Sequence, residues 1–226
     1  MILNIYKPKN ISSFGVVSQI RRRLNIKKVG HAGTLDPLAE GVLVILTDQD
    51  TKKQDSILHT DKEYVATVGF GVFSETYDLE KVPELRQIPA LSILERDVPV
   101  AIAKFIGVIK QQVPVYSAVK VGGVPLYKKA RKGKSVDAQS TPIKKVTINS
   151  IEIMNYGMRT LETSEGAAAI PFVELKVTCS HGTYIRALAR DLGDVIGYSG
   201  TLLGLVRTRI GDFTVDKAVK VEDLKL

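Results

Sequence analysis

The chain has 226 residues, 44% hydrophobic and 25% charged, a balance that excludes a disordered tail and gives length enough to bury a full core. With 32 Lys and Arg against 24 Asp and Glu the net charge is +8, an excess that suits a polyanionic partner such as nucleic acid. One cysteine, Cys179, excludes an internal disulfide; the three histidines, His31, His59 and His181, lie too far apart to suggest a metal site, and none is expected. No apolar run approaches the roughly 18 residues of a membrane span, and no secretory leader is recognisable, so the cytoplasm is the expected location.

In chain order, Ser12 or Ser13 caps an expected helix with Phe14, Val17, Ile20 and Leu24 on one face and Arg21, Arg22 and Arg23 in its last turn, where cations suit the dipole. VLVILT, residues 42 to 47, fits a buried strand, and EYVATVGFG, residues 63 to 71, alternates as a second. A helix is expected over Val98 to Ile106. From Lys120 to Lys145 eight Lys or Arg stand against one Asp, with Gly122, Gly123, Pro125, Gly133 and Pro142 interrupting regular structure and Tyr127 among the charges. Such a stretch, about residues 120 to 146, reads as a mobile basic loop or hairpin that follows a phosphate backbone, or as a solvated insertion. PFVELKVTC, residues 171 to 179, is a further strand, leading to Thr183 as cap of a helix carrying Ile185, Leu188, Ala189, Leu192 and Val195. Strands and helices mix without the regular beat of a doubly wound sheet.

Asp36, within VGHAGTLDPLAEGVL, admits two readings: an Asp-Pro turn or helix cap, or a carboxylate that does chemistry. No Walker loop, dinucleotide fingerprint, nucleophile elbow or paired-carboxylate motif accompanies it. What decides is likeness. GHAGTLDPLAEGVL resembles the catalytic motif of the TruB family of tRNA pseudouridine synthases, G-H-x-G-x-L-D-P-x-A-x-G-V-L, and Gly30, His31, Gly33, Leu35, Asp36, Pro37, Ala39, Gly41, Val42 and Leu43 all match. In family order follow, or precede, YKPKNISSFGVVSQIRR from Tyr6, KEYVATVGFG, VPVYSAVKVGGVPLYKKARKG, SHGTYIRALARDLG and LVRTRIGDF.

The resemblance implies an α+β pseudouridine synthase fold, a mixed, largely antiparallel sheet flanked by helices with a basic RNA-binding insertion, in a single catalytic domain. It implies isomerisation of the T-loop uridine, uridine-55 of tRNA, without a cofactor. Asp36 takes the place of the nucleophile, Tyr64 that of the tyrosine stacked on the target base, and Arg186 that of the arginine paired with the catalytic carboxylate. His31 matches a histidine that helps displace the target nucleotide, Tyr184 a second pocket tyrosine and Leu205 an apolar residue lining the uracil pocket. Lys7 is expected to support the site, and Lys120, Tyr127 and Arg131 to contact substrate. The expected partner is the T-arm stem-loop of tRNA, met by a monomer with no obligate protein partner. Asn10 stands where the family has Gly, a place Asn suits if the turn needs a positive φ; Ser12 replaces Thr, Val113 a Pro, and SETYD, residues 74 to 78, the usual T-D-T-x-D. After LVRTRIGDF only TVDKAVKVEDLKL remains, so no C-terminal RNA-binding domain is expected and binding falls to the catalytic domain and its insertion. A tRNA-binding or folding chaperone without turnover is the rival reading.

Overall fold

The computed structural model describes residues 1–131 and 141–224. In chain order the elements are β1 (Ile2–Lys7), α1 (Ser13–Leu24), β2 (Val29–His31), β3 (Glu40–Thr47), α2 (Gln54–Leu58), β4 (Lys62–Phe70), β5 (Val72–Phe73), β6 (Glu84–Leu85) and α3 (Leu91–Ala103). They continue with β7 (Gly107–Gln112), β8 (Lys120–Val121), β9 (Val124–Pro125), α4 (Leu126–Arg131), β10 (Ile143–Thr163), β11 (Gly166–Cys179), α5 (Ile185–Ile196), β12 (Gly200–Ile210) and β13 (Phe213–Thr214). The main sheet follows the order β1-β3-β12-β4-β11-β10-β7, with β2 on β3 and β13 on β12. It is mixed, because β3 and β12 run parallel while β1 with β3 and β7 with β10 run antiparallel, in agreement with the α+β expectation.

The described residues divide into two compact units, and β4, β11 and β12 run through both. In the first unit, which holds residues 1–66, 176–181 and 204–226, Ile5, Val16, Val17, Ile20, Val29, Leu43 and Ile45 form one apolar cluster. Ala32, Val42, Val44, Leu46 and Ile210 form a second, so successive side chains of β3 serve both. That is why β3 reads as an unbroken apolar run: it is buried on two faces. In the second unit, Val72, Ile170 and Leu203 make a cluster of their own.

Several expectations need correction. Ser12 does cap α1, its hydroxyl accepting from the Gly15 amide at 3.0 Å. The buried stripe, however, is Ser13, Val16, Val17 and Ile20, and Phe14 is 64% exposed with the Arg21 guanidinium over its ring. Spacings of three, four and seven put Ser13 inward, where both its hydroxyl lone pair and its proton are used on Leu35. Helix α3 begins at Leu91, seven residues before Val98, and carries Pro99 inside it; Leu94, Val98 and Ala101 are its buried stripe. At α5 the cap is Tyr184 and not Thr183, and Val195 faces outward. The basic segment opens as the β8–β9 hairpin and continues into α4, anchored by the buried Leu126; residues 132–140 of it lie outside the described residues.

Candidate functional site

In the first unit, the segment between β2 and β3 carries Asp36 on a β-turn closed by the Ala39 amide donating to the Asp36 carbonyl at 3.1 Å. Asp36 therefore starts a tight turn and caps no helix, which removes the simplest structural use for its carboxylate. The turn is held by four residues. Ser13 of α1 grips Leu35, its hydroxyl accepting from the amide at 2.8 Å and donating to the carbonyl at 3.0 Å. The Asn10 amide donates to the Pro37 carbonyl at 2.8 Å, and Asn10 reaches it at φ 65°, the left-handed geometry expected of a residue standing in for Gly. Lys7, fully buried at the end of β1, donates from Nζ to the carbonyls of Pro8 (2.9 Å), Ile11 (2.7 Å) and Pro37 (3.2 Å).

The fourth hold is Arg207 of β12, which is 1% exposed. Its Nε donates to the Val42 carbonyl at 2.8 Å, Nη1 to Thr34 at 3.2 Å and Nη2 to Gly33 at 3.1 Å, so it binds backbone on both sides of Asp36. Its own backbone lies opposite Gly41 in the parallel ladder. There Gly41 adopts φ +104°, and a Cβ would stand 2.3 Å from the Arg207 carbonyl oxygen, so no other residue fits. Tyr64 comes from β4, whose alternation turns Lys62, Tyr64 and Ala66 inward and leaves Glu63 and Val65 half-buried. Tyr64 is buried there and feels the charges of Arg207 and Asp36.

Electrostatics follow from this burial. Desolvation pushes the Tyr64 phenol up, opposed by the Arg207 cation, and pushes Arg207 itself down, opposed by Tyr64 and Asp36. His31, at the end of β2, is driven below its ordinary 6.5, first by burial and then by Arg207, so it is neutral at pH 7. Burial lowers Lys7 from 10.5 to about 8 against the attraction of Asp36 and Glu40. Because this folded value lies below the unfolded one, the unfolded chain binds more protons between pH 8 and 10.5, and folding stability gains with rising pH in that window. Lys62, also lowered to about 8, acts in the same direction, so the comparison must be with a Lys7 variant. Relative to Lys7→Met, the wild type is expected to gain on the order of 2 kcal/mol between pH 8 and pH 10. Urea unfolding of both proteins across that range measures it, and parallel curves would show that Lys7 is not the titrating group.

Of the residues singled out in the sequence, Asp36, Tyr64, His31, Lys7 and the buried Leu205 belong to this unit. Arg186, Tyr184, Lys120, Tyr127 and Arg131 belong to the other. There Arg186 is buried and donates to the carbonyls of Thr76 (2.7 Å) and Tyr116 (3.0 Å), with Asp78 as an ion partner at 3.6 Å. Asp78 is placed by the Thr76 hydroxyl at 2.6 Å and the Glu80 amide at 3.0 Å, in a loop that bends through Tyr77 at φ 58°. Gln111 fixes Tyr184 by both its amide and its carbonyl, and the Lys144 ammonium stands over the ring. Lys120 is exposed and Tyr127 half-buried.

Two site residues escaped the sequence reading. Arg207 lies in LVRTRIGDF, where strand alternation sets it in phase with buried Leu205 and gives a faint signal. Asp78 lies in SETYD, noted only as a departure from the family pattern. Among the described residues no group of three or more His, Cys, Asp or Glu is placed to hold a metal, and no helix is long and apolar enough to cross a membrane.

Residues 21–185 match the model of the TruB family pseudouridylate synthase N-terminal domain. The tRNA pseudouridine synthase B of Clostridium tetani (strain Massachusetts / E88) is 42% identical over 224 residues, covering 99% of this chain and 72% of the relative. That of Parabacteroides distasonis (strain ATCC 8503) is 39% identical over 230 residues, covering 99% and 91%. Among solved structures, a chain in the crystal structure of a Cbf5-Nop10-Gar1 complex superposes with TM-score 0.70 at 27% identity; this chain is covered to 99% but spans only 53% of that one. A second, from an H/ACA RNP bound to a substrate RNA containing 2'-deoxyuridine, gives TM-score 0.67 at 24% identity, a likeness of fold. With a family match over most of its length and full-length relatives near 40% identity, the chain belongs to the TruB family of pseudouridylate synthases.

Proposed function

We propose that this protein isomerises the T-loop uridine of tRNA, uridine-55, to pseudouridine, with Asp36 as the nucleophile and no cofactor. The reaction breaks the C1′–N1 bond, turns the uracil and joins C1′ to C5; the proton leaving C5 is balanced by one gained at N1, so nothing is consumed. The observation that carries this reading is the half-buried Asp36 on a turn clamped by Ser13, Asn10, Lys7 and Arg207, beside Tyr64. A carboxylate held by so much backbone bonding is pre-set for attack near the sugar, since little reorganisation is left to the reaction. Tyr64 is assigned to stack on the target base and move a proton, Arg186 to pair with the catalytic carboxylate, and neutral His31 to brace the gap left when the nucleotide is drawn out of its stack. Tyr184 and Leu205 are assigned to the uracil pocket. RNA held by shape and splayed bases suits such a site, because the deep groove of an A-form helix offers side chains little sequence to read.

Release of tritium from a tRNA transcript labelled at uracil C5 tests the function directly. Release is expected from the wild-type transcript and should vanish when the T-loop uridine alone is replaced by cytidine; release that survives that change would place the target elsewhere.

The basic insertion is assigned to the tRNA backbone, through exposed Lys120 and Lys128 together with Tyr127, Lys129 and Arg131. Replacing Lys128, Lys129, Arg131 and Lys132 (the last outside the described residues) with Ala is expected to weaken tRNA binding by at least about 10-fold at ~0.1 M salt and to flatten the slope of log Kd against log salt by about 3. Filter binding across a salt series reads both. An unchanged slope would remove the insertion from the interface.

A further inference from the structure

Arg207 is built into the site more heavily than a structural arginine needs to be. It clasps the Asp36 turn from both ends, at Gly33 and Thr34 before it and at Val42 after it, while its backbone presses on Gly41. A guanidinium offers five N–H donors and no acceptor. Three are used by these carbonyls, leaving two, and Tyr64, likewise buried, stands on β4, the strand next to β12 in the sheet. The same two side chains both feel Asp36.

We infer that Arg207 is a positioning residue for the reaction: it holds the Asp36 turn beside Tyr64, so that carboxylate and tyrosine enter the reaction in one mutual arrangement. This rests on the proposed function for its kinetic consequence, whereas the hold on the turn does not. The charge alone is insufficient, since a lysine ammonium is a point charge that cannot span Gly33, Thr34 and Val42 with a planar fork.

The test is Arg207→Lys, alone and combined with Tyr64→Phe. Arg207→Lys is expected to keep tRNA affinity within about 3-fold while slowing single-turnover pseudouridine formation at least about 100-fold. Adding Tyr64→Phe to it should cost far less than Tyr64→Phe costs in the wild type, because the two act as a unit. Independently of turnover, protein labelled with 13Cζ-tyrosine, with the Tyr64 signal assigned by its loss in Tyr64→Phe, should show that signal displaced in Arg207→Lys. The reciprocal reading covers the case in which Arg207→Lys does not fold: the Arg207 Nη signals of 15N-labelled protein should move in Tyr64→Phe, which removes one oxygen only. Additive rate losses with unmoved tyrosine and arginine signals would overturn the inference. A wild type that turns over no tRNA would instead overturn the proposed function, and the two spectroscopic comparisons would still decide the role of Arg207.

Discussion

Asp36→Asn is expected to abolish pseudouridine formation, by at least about 10⁴-fold, while tRNA affinity stays within about 3-fold. The amide matches the carboxylate in size, and the turn it sits on is held by backbone groups and by side chains of Ser13, Lys7 and Arg207 that the substitution leaves in place. Shape and binding surface should therefore survive, and what is lost is the negative charge proposed to attack. Single-turnover tritium release beside filter binding separates the two. Loss of binding in parallel with rate would show that Asp36 serves mainly to hold RNA, and retained turnover would assign the chemistry to another group.

The second large effect is expected at Arg186. Arg186→Met removes the cation from buried Asp78, which is 6% exposed, and deprives the Thr76 and Tyr116 carbonyls of their donors. Breaking a buried pair from one side costs roughly 3–5 kcal/mol, because the remaining charge stays desolvated. Adding Asp78→Asn should recover part of that loss by removing the stranded charge, although the Thr76 hydroxyl and Glu80 amide that bond Asp78 would keep a partner. Urea unfolding of the single and double variants measures this; a double variant less stable than Arg186→Met would contradict it. On the role proposed for Arg186, turnover by Arg186→Met is expected to fall at least about 100-fold with tRNA affinity little changed.

Much of the framework was legible in the residues. The Ser12 cap, the apolar run of β3 and the alternation of β4 are local signals, and the left-handed turn at Asn10 follows from Asn standing where Gly is usual. Apolarity misled at α1. It nominated Phe14 for the inward face, but the inward place belongs to Ser13, whose hydroxyl is needed by Leu35, and a buried polar partner outweighed a ring that could lie on the surface against Arg21. Pro99 hid the first half of α3, since a proline discourages a helix running through it although the Leu94, Val98 and Ala101 stripe carries on past it. Arg207 was hidden for a different reason. In RTR it looks like surface charge, and its burial depends on carbonyls at Gly33, Thr34 and Val42, at sequence separations of 174, 173 and 165 residues. Asp78 likewise gains its meaning from Arg186, 108 positions on, by the difference of the two residue numbers. A motif can name a carboxylate; the groups that hold it come from distant strands, and only the fold brings them to it.

The most direct test of this account is to map pseudouridine at nucleotide resolution on an unmodified tRNA transcript after incubation with the wild type and, in parallel, with Asp36→Asn. The account predicts a single pseudouridine, at the T-loop uridine, formed by the wild type alone. Product at that nucleotide with Asp36→Asn would contradict the role of Asp36, and tight binding with no product from the wild type would contradict the enzyme reading in favour of a tRNA-binding chaperone.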